Sequence, residues 1–276
     1  CCTPGQVVSV QANIRREHAW SVERAMQGAD AVVNLVGLLA ESGKQNFNDV
    51  MNDGAHLIAE TARALGLEQI VHVSAIGADA ESTSTYARAK AAGEAVVFDV
   101  LPKSVVLRPS VMFGPDDDFF NKLGFLASLS PVLPLIGGGK TRFQPVFVRD
   151  VAEAIADAVE GKAKAGTVYE LGGPEVKTFR DCVEAVLAAT HRKRLLMPWP
   201  FALAKFQAKF LQMLPNPLLT EDQVELLKSD NVVSAAAVAE GRTFAGLGLE
   251  PTSIEAELDA YLWRFRPRGQ FDRKPA

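Results

Sequence analysis

Apolar residues form short runs along the first half of the chain, and helical patterns separate those runs. The runs at residues 31–36, 69–74 and 104–108 are almost wholly apolar, as is typical of parallel strands covered on both faces. Helices are predicted at residues 47–65 and 86–97. This alternation predicts an α/β fold, a Rossmann-like doubly wound parallel sheet with helices on both faces.

The same patterns predict further elements on either side of these. A strand is predicted at residues 7–10 and a helix at residues 21–28. The more loop-rich second half contributes strands at residues 146–148 and 168–171, and helices at residues 150–160, 179–190, 201–214 and 221–228. Thr220 and Gln223 have the spacing of a capping box. We therefore expect a first domain at residues 1–115 and a smaller, interleaved α/β lobe at residues 116–276.

Composition excludes several classes of protein. A net charge of −4 over 276 residues is too mild to indicate a nucleic-acid partner. Cys1, Cys2 and Cys182 lack metal-ligand spacing and suggest a reducing compartment. No apolar run approaches the roughly 18 residues needed to cross a bilayer, and no leader pattern is visible. We expect a cytoplasmic protein without a metal site or a transmembrane segment.

The clearest chemical signal is a serine followed by a tyrosine and lysine pair. Tyr86 and Lys90 are four residues apart, which places them on one face of a helix. An ammonium beside a phenol favours the phenolate and lowers the pKa of the phenol, so Tyr86 would serve as a general acid or base. Ser74 ends the preceding strand and would hold a carbonyl or alcohol near Tyr86. A solvated helix face is the alternative for the pair alone.

Five stretches in chain order resemble one known family. They are Asn34-Leu-Val-Gly37, His72-Val-Ser-Ala-Ile-Gly77, Tyr86-Ala-Arg-Ala-Lys90, Leu107-Arg-Pro-Ser-Val-Met-Phe-Gly-Pro115 and Val146-Phe-Val-Arg-Asp-Val-Ala152. They are similar to the extended and atypical short-chain dehydrogenase/reductases, which include sugar-nucleotide epimerases and NAD-dependent epimerase/dehydratases. The resemblance implies Ser74, Tyr86 and Lys90 as catalytic residues.

Four longer stretches narrow this resemblance. They are residues 134–145, 169–174, 228–233 and 261–271. Together they resemble the NADPH-binding accessory subunit of respiratory complex I and its alphaproteobacterial relatives, over nearly the whole chain. This implies an accessory or assembly subunit that holds a cofactor mainly for structure, beside peripheral-arm subunits and peripherally associated with the inner membrane. A free NAD(P)-dependent epimerase or reductase acting on a nucleotide sugar or another carbonyl is the alternative.

The resemblance also implies a cofactor and the residues that would contact it. The cofactor is NADP(H), with NAD(H) as the second choice. The expected contacts are Asn13, Asn34, Val36, Gly37, Ser74, Tyr86, Lys90, Pro109 and Val111. No metal ligand is expected.

One family feature has no counterpart in these residues. The family receives the pyrophosphate on a glycine-rich turn after its first strand, and no such turn occurs here. The first strands of the usual order are missing as well. We expect that the sequence given begins within a longer protein, the alternative being a remnant with a collapsed site. Asn13 then occupies the position near the adenine at which the family usually has an acidic residue.

Several isolated residues are open to two interpretations. Arg142 is predicted either to hold a phosphate or to be a solvated surface residue. Residues 116–118, three aspartates, are predicted as a helix N-cap followed by a solvated loop rather than a metal site. His72 is expected in the core or at a sheet edge, and Cys182 as a buried small side chain.

Two C-terminal stretches are candidates for docking. Residues 201–214 place Leu203, Phe206 and Phe210 on one stripe beside lysines. This stripe is predicted either to pack on its own domain, which we favour, or to contact a membrane surface or a partner. The tail at residues 264–271 mixes cations with aromatic rings and suggests partner docking, with a frayed terminus as the alternative.

Overall fold

The computed structural model describes residues 7–41, 43, 45–213 and 217–271. Its α-helices are α1 Ala19–Met26, α2 Gly54–Ala64, α3 Thr85–Val100, α4 Phe119–Leu129, α5 Val148–Val159, α6 Phe179–Ala189, α7 Phe201–Leu211, α8 Glu221–Leu226, α9 Ala235–Ala239 and α10 Ile254–Leu262. Its strands are β1 Val33–Asn34, β2 Val71–Val73, β3 Val105–Pro109, β4 Met112–Phe113, β5 Val132–Ile136, β6 Arg142–Phe143, β7 Val146–Phe147, β8 Thr167–Leu171, β9 Lys177–Thr178 and β10 Leu195–Trp199.

The main sheet has four parallel strands in the order β1-β2-β3-β8. Asn34 lies opposite His72, and Val73 lies opposite Leu107, so the carboxyl ends of β1, β2 and β3 meet at one edge. β8 comes from the second half of the chain, so the two halves interleave in this sheet. The predicted α/β class with a parallel sheet is confirmed.

Helices cover both faces of this sheet because side chains alternate between the faces along each strand. One face carries Val71, Val105 and Leu107, which pack against α5 in a buried cluster. On the other face, Ile70 packs in a second cluster with residues of α2 and α3. The predicted doubly wound arrangement places α3 against the strand ends that carry the candidate chemistry.

Three two-stranded ladders lie outside the main sheet. β5 pairs with β10 and β4 pairs with β7, both parallel, while β6 pairs antiparallel with β9. A phenylalanine-rich cluster joins α4, α6 and α10 to Phe113 of β4 and Phe147 of β7. Among the described helices, none combines the length and the apolar character needed to cross a bilayer.

The long helix predicted at residues 47–65 is present, with a π-helical turn at Asn48–Asp53 leading into α2. This turn brings the Met51 carbonyl against Gly93 of α3, where a Cβ would lie 2.4 Å from the oxygen. A side chain at residue 93 would therefore push the two helices apart. The capping box of Thr220 and Gln223 is confirmed.

Two predictions about local structure were wrong. Residues 7–10 are exposed and join no strand, because the described residues provide no neighbour to pair with them. The loop predicted after residues 116–118 is the helix α4. Its first turn is held by Asp117, whose carboxylate accepts hydrogen bonds from the Phe120 and Asn121 amides and the Tyr261 hydroxyl.

The tail was predicted to dock on a partner or to fray, but its first residues contact the chain itself. Arg264 donates to the Pro115 carbonyl, and Phe265 packs against Gly124. Arg266 donates to the Ala189 carbonyl. These residues therefore dock on the chain itself, while Phe271 is exposed and residues 272–276 lie outside the described part.

The apolar stripe predicted at residues 201–214 faces outward. Ala204 and Ala208 of α7 are fully buried, whereas Phe206 and Phe210 of the same helix are exposed. The prediction that the stripe packs on its own domain was therefore wrong, because small residues do that packing.

Candidate functional site at the carboxyl ends of the parallel strands

Ser74 follows the last residue of β2 and is held by its backbone. Its amide donates to the Leu107 carbonyl of β3 at 2.7 Å, which continues the ladder by one residue. The side chain is buried, and its hydroxyl oxygen has no hydrogen-bond partner among the described residues. A buried polar atom without a partner is unfavourable, so such atoms concentrate where a ligand or water completes the hydrogen bonds.

Lys90 reaches the same strand end from α3. Its ammonium donates to the Val73 carbonyl at 3.3 Å and lies 5.9 Å from the centre of the Tyr86 ring. Burial lowers the pKa of Lys90 to about 8, although the nearby Glu94 carboxylate acts in the opposite direction. The ammonium form is thus only moderately favoured near neutral pH, and Lys90 can release or take up a proton there.

Tyr86 lies one turn before Lys90, as its spacing predicts. The prediction that Lys90 lowers the pKa of Tyr86 was wrong. The ring packs edge-on against Phe47, with centroids 5.8 Å apart. Burial, followed by the charge of Asp222, raises the pKa of Tyr86 to about 12. Both causes disfavour the phenolate, so the hydroxyl keeps its proton in this structure.

Asn34 and His72 form a buried pair on the neighbouring strands β1 and β2. The Asn34 side-chain nitrogen lies 3.0 Å from His72 Nδ1, and the Asn34 side-chain oxygen accepts a hydrogen bond from the Val36 amide. Burial, followed by the charge of Lys90, lowers the pKa of His72 to about 3. His72 is therefore a neutral core residue, which confirms the core alternative, and it carries no positive charge beside Lys90.

The turn after β1 closes over Lys90. A Cβ added to Gly37 would lie 3.3 Å from the Lys90 ammonium, so the backbone approaches the amine closely at this point. Val36 is half-buried and packs against the cluster beneath α2 and α3. Six of the residues singled out by sequence therefore meet in one place: Asn34, Val36, Gly37, Ser74, Tyr86 and Lys90.

Pro109 and Val111 lie at the end of the next strand, β3. The Pro109 carbonyl accepts a hydrogen bond from the Ile76 amide at 3.0 Å. The Val111 amide donates to the side chain of Asn231, which also accepts from the Ser110 hydroxyl and donates to the Ile76 carbonyl. Asn231 thus ties together the two loops that follow β2 and β3.

Asn13 is separate from this cluster. It is exposed, and its side chain accepts a hydrogen bond from the Arg15 amide while its own amide donates to Ser21. No described hydrogen bond links it to the strand ends. Two guanidinium nitrogens of Arg142 lie 2.8 and 2.7 Å from one carboxylate oxygen of Asp230. Cys182 is fully buried, and that burial raises its pKa to about 12.

Sequence reasoning did not find Asp222. Its carboxylate accepts hydrogen bonds from the Ser84 hydroxyl and the Thr85 amide, both at 2.7 Å, at the start of α3. Negative charge at a helix N-terminus is stabilising. The only sequence signal was its position beside Thr220 at the start of a predicted helix, which does not indicate a partner more than a hundred residues away.

Glu94 and Arg108 are a second pair that sequence reasoning left out. Two hydrogen bonds of 2.8 and 2.6 Å join the guanidinium to the carboxylate, and Glu170 of β8 lies 3.9 Å from the same guanidinium. The Glu94 side chain is only 7% exposed. This network fastens α3 to β3 and β8 one turn beyond Lys90, so it sets the position of the helix that carries Tyr86.

Three curated proteins are similar over most of the chain. The mitochondrial NADH dehydrogenase (ubiquinone) 1 alpha subcomplex subunit 9 of Arabidopsis thaliana is 34% identical over 96% of this chain and 67% of its own length. The mitochondrial 40 kDa subunit of NADH-ubiquinone oxidoreductase of Neurospora crassa is 30% identical over 99% of this chain and 70% of its length. The ceramide reductase of Caulobacter vibrioides is 36% identical over 80% of this chain and 71% of its length.

Solved structures confirm the fold. The UDP-glucose 4-epimerase of Thermus thermophilus, in complex with NAD, has a TM-score of 0.65 at 22% identity and covers 97% of this chain and 87% of its own. The dTDP-4-dehydrorhamnose reductase of Bacillus anthracis, in complex with NADP, has a TM-score of 0.64 at 13% identity and covers 91% of this chain and 86% of its own. The sequence model of the NAD dependent epimerase/dehydratase family matches residues 7–172, and the chain belongs to that family.

Proposed function

We propose that this chain is an NAD(P)H-holding accessory subunit of NADH:quinone oxidoreductase, with a cofactor role that is mainly structural. The observation that carries the proposal is similarity to complex I subunits of a plant and a fungus over nearly the whole chain. Its partners would be peripheral-arm subunits near the membrane. We place it on the cytoplasmic side, peripherally associated with the inner membrane.

The residues present fit the nicotinamide and ribose half of a dinucleotide. The buried Ser74 hydroxyl without a described partner and the weakly bonded Lys90 ammonium are groups that a polar ligand would satisfy. We assign Tyr86 and Lys90 first as ribose and nicotinamide contacts, and Asn34, Val36 and Gly37 as the wall above them. A bound nicotinamide supplies redox chemistry that side chains lack. Pro109 and Val111 would border the ring.

The other half of a dinucleotide has less support in these residues. No glycine-rich pyrophosphate turn occurs in the printed sequence, and Asn13 is assigned to the adenine end by resemblance alone. The choice of NADP(H) over NAD(H) rests on the same resemblance. We retain the division into residues 1–115 and 116–276 as a proposal, supported by the small ladders β5–β10 and β6–β9 in the second region.

Copurification tests the subunit role directly. The tagged chain, purified from detergent-solubilised membranes of its own cell, is expected to migrate with NADH:quinone oxidoreductase activity on native gels. Cofactor released by denaturing the purified complex is then identified enzymatically as NADP(H) or NAD(H). Recovery of the chain only apart from the complex would overturn the proposal.

A free NAD(P)-dependent reductase or epimerase is the second candidate, and two observations favour it. Ser74, Tyr86 and Lys90 are kept together, and a ceramide reductase is among the relatives. The variant Tyr86→Phe separates the two roles, because it removes the hydroxyl and keeps the ring that packs on Phe47. Unchanged assembly is expected for a subunit. Loss of carbonyl-dependent NAD(P)H oxidation in the isolated chain would instead favour the enzyme.

A further inference from the structure

Asn231 lies between α8 and α9, and its backbone is fixed along β6. Its amide donates to the Arg142 carbonyl at 2.8 Å, and its carbonyl accepts from the Gln144 amide at 3.0 Å. Phe143 forms a parallel bridge with it. The main chain of Asn231 is therefore held by the second region, residues 116–276, independently of what its side chain contacts.

The side chain of Asn231 uses both ends of its amide. Its oxygen accepts hydrogen bonds from the Ser110 hydroxyl at 2.6 Å and from the Val111 amide at 3.1 Å. Its nitrogen donates to the Ile76 carbonyl at 3.0 Å. This set of bonds needs an acceptor and a donor on one side chain, which a carboxylate or an aliphatic group does not offer.

The bond to Ile76 reaches the loop that carries Ser74. The Ser74 amide is anchored on the Leu107 carbonyl of β3, and the Ile76 amide on the Pro109 carbonyl. The Ile76 carbonyl is held by Asn231. The first two anchors come from β3, whereas the third comes from the second region. The short segment from Ser74 to Ile76 thus has a fixed course at both of its ends.

This segment borders the groups that a polar ligand would satisfy. The buried Ser74 hydroxyl has no described partner, and the Lys90 ammonium donates to the Val73 carbonyl directly before it. A loop that is already fixed does not have to be ordered by the ligand, so the ligand binds more tightly. The other bonds of Asn231 fix Val111, at the border assigned to the nicotinamide ring.

We propose that Asn231 is a positioning residue of the candidate cofactor site: from the second region, it holds the loops that follow β2 and β3 in the geometry that receives the nicotinamide end of a dinucleotide. Its hydrogen bonds to these loops carry the effect, without contact with the ligand. Because the ligand is the cofactor assigned above, this role rests on the proposed function. Cofactor affinity is thereby coupled to a region that contributes none of the assigned contacts.

Gln144 offers a matched control. Its side-chain nitrogen donates to the Gly173 carbonyl at 2.7 Å, and its side-chain oxygen accepts from the Val233 amide at 3.0 Å. It is thus a second side-chain amide that fastens the stretch around Asn231. Its partners lie after β8 and before α9, and no described hydrogen bond joins its side chain to the loops after β2 and β3.

Calorimetric titration of the intact protein with NADPH tests the role of Asn231. Asn231→Leu should weaken NADPH binding about tenfold or more, because the ligand must then order both loops itself. Gln144→Leu should lower the melting temperature much as Asn231→Leu does, since both lose hydrogen bonds, but it should leave NADPH affinity unchanged. Asn231→Asp keeps the size of the side chain and replaces the donor to Ile76 by an oxygen, so it should also weaken binding.

Two results of this titration would overturn the proposal. One is the same NADPH affinity in the parent and in the Asn231 variants, and Asn231→Asp decides this point if Asn231→Leu does not fold. The other is an equal loss of affinity in Gln144→Leu, which would mean that general loosening of the second region sets the affinity.

A second measurement needs no cofactor. Burial lowers the pKa of Lys90 to about 8, and labelling with an amine reagent across a pH series, read by mass spectrometry, gives that pKa. In Asn231→Leu it should rise toward 10.5, because water enters beside the loosened loop, and in Gln144→Leu it should not change. If the parent binds neither NADPH nor NADH, the proposed cofactor role fails. The pKa of Lys90 then decides alone, and an unchanged value in Asn231→Leu would overturn the positioning role.

Discussion

The helices α3 and α7 place their residues in opposite ways. α3 turns Lys90 and Glu94 inward, with 7% and 5% of the whole residue exposed, whereas α7 buries two alanines and exposes Phe206 and Phe210. Buried charge is unfavourable unless it is paired, and exposed apolar surface is unfavourable unless it is covered. The two helices therefore differ in what would stabilise them further. A polar ligand would stabilise the buried polar end of α3, and an apolar surface would cover the exposed rings of α7.

The largest expected effect comes from breaking the ion pair that fastens α3. Arg108→Met leaves the Glu94 carboxylate buried without its two hydrogen bonds and should lower the free energy of unfolding by about 3 kcal/mol or more. Denaturant titration measures this. Arg108→Met with Glu94→Leu should recover much of the loss, because no buried charge remains. A loss in the double variant as large as in the single one would contradict the explanation.

The next effect is a dependence of stability on pH that comes from His72. Its pKa falls from 6.5 to about 3 on folding, so below pH 6.5 the unfolded chain binds a proton that the folded chain does not. The stability contributed by neutral His72 is complete above pH 6.5 and is lost as the pH falls toward 3. Between pH 6.5 and 5 this amounts to about 2 kcal/mol. His72→Asn should flatten that slope, and an unchanged slope would sink the assignment.

A third prediction compares a buried position and an exposed position of α7. Ala208→Leu adds volume to a packed interior and should destabilise the fold by about 1–3 kcal/mol. Phe206→Ser, on the exposed face of the same helix, should change stability by no more than about 0.5 kcal/mol. Thermal denaturation of both variants measures the contrast. Similar losses in the two would mean that the stripe contributes to packing after all.

The smallest effect concerns the start of α3. The negative charge of Asp222 caps the helix and raises the pKa of Tyr86. Asp222→Asn removes that charge. Stability should fall by about 1 kcal/mol. The pKa of Tyr86 should move down from about 12 but stay above 10, since burial is the larger cause. The absorbance of tyrosinate during a pH titration records the shift. Subtracting the titration curve of the Tyr86→Phe variant removes the contribution of the other two tyrosines.

Local patterns predicted much of the fold and most of the site cluster. Strand ends meet at one edge of a parallel sheet, which is why Asn34, Ser74 and Lys90 come together as expected. The acidity of Tyr86 was missed because desolvation depends on the packing around the ring. The strand predicted at residues 7–10 does not form, because a strand needs a neighbouring strand to pair with. Asp222 was missed because its partners lie more than a hundred residues earlier, and Arg108 was missed because its partner Glu94 lies on a different element, the helix α3.

The tie made by Asn231 has a consequence for the order in which the site forms during synthesis. Its hydrogen bonds reach Ser110 and Ile76, which are 121 and 155 positions earlier in the chain. The strands that precede these loops are therefore synthesised long before the residue that fixes the shape of the loops. A ribosome must complete most of the chain before the strand ends acquire their final geometry, and closure over such separations slows folding.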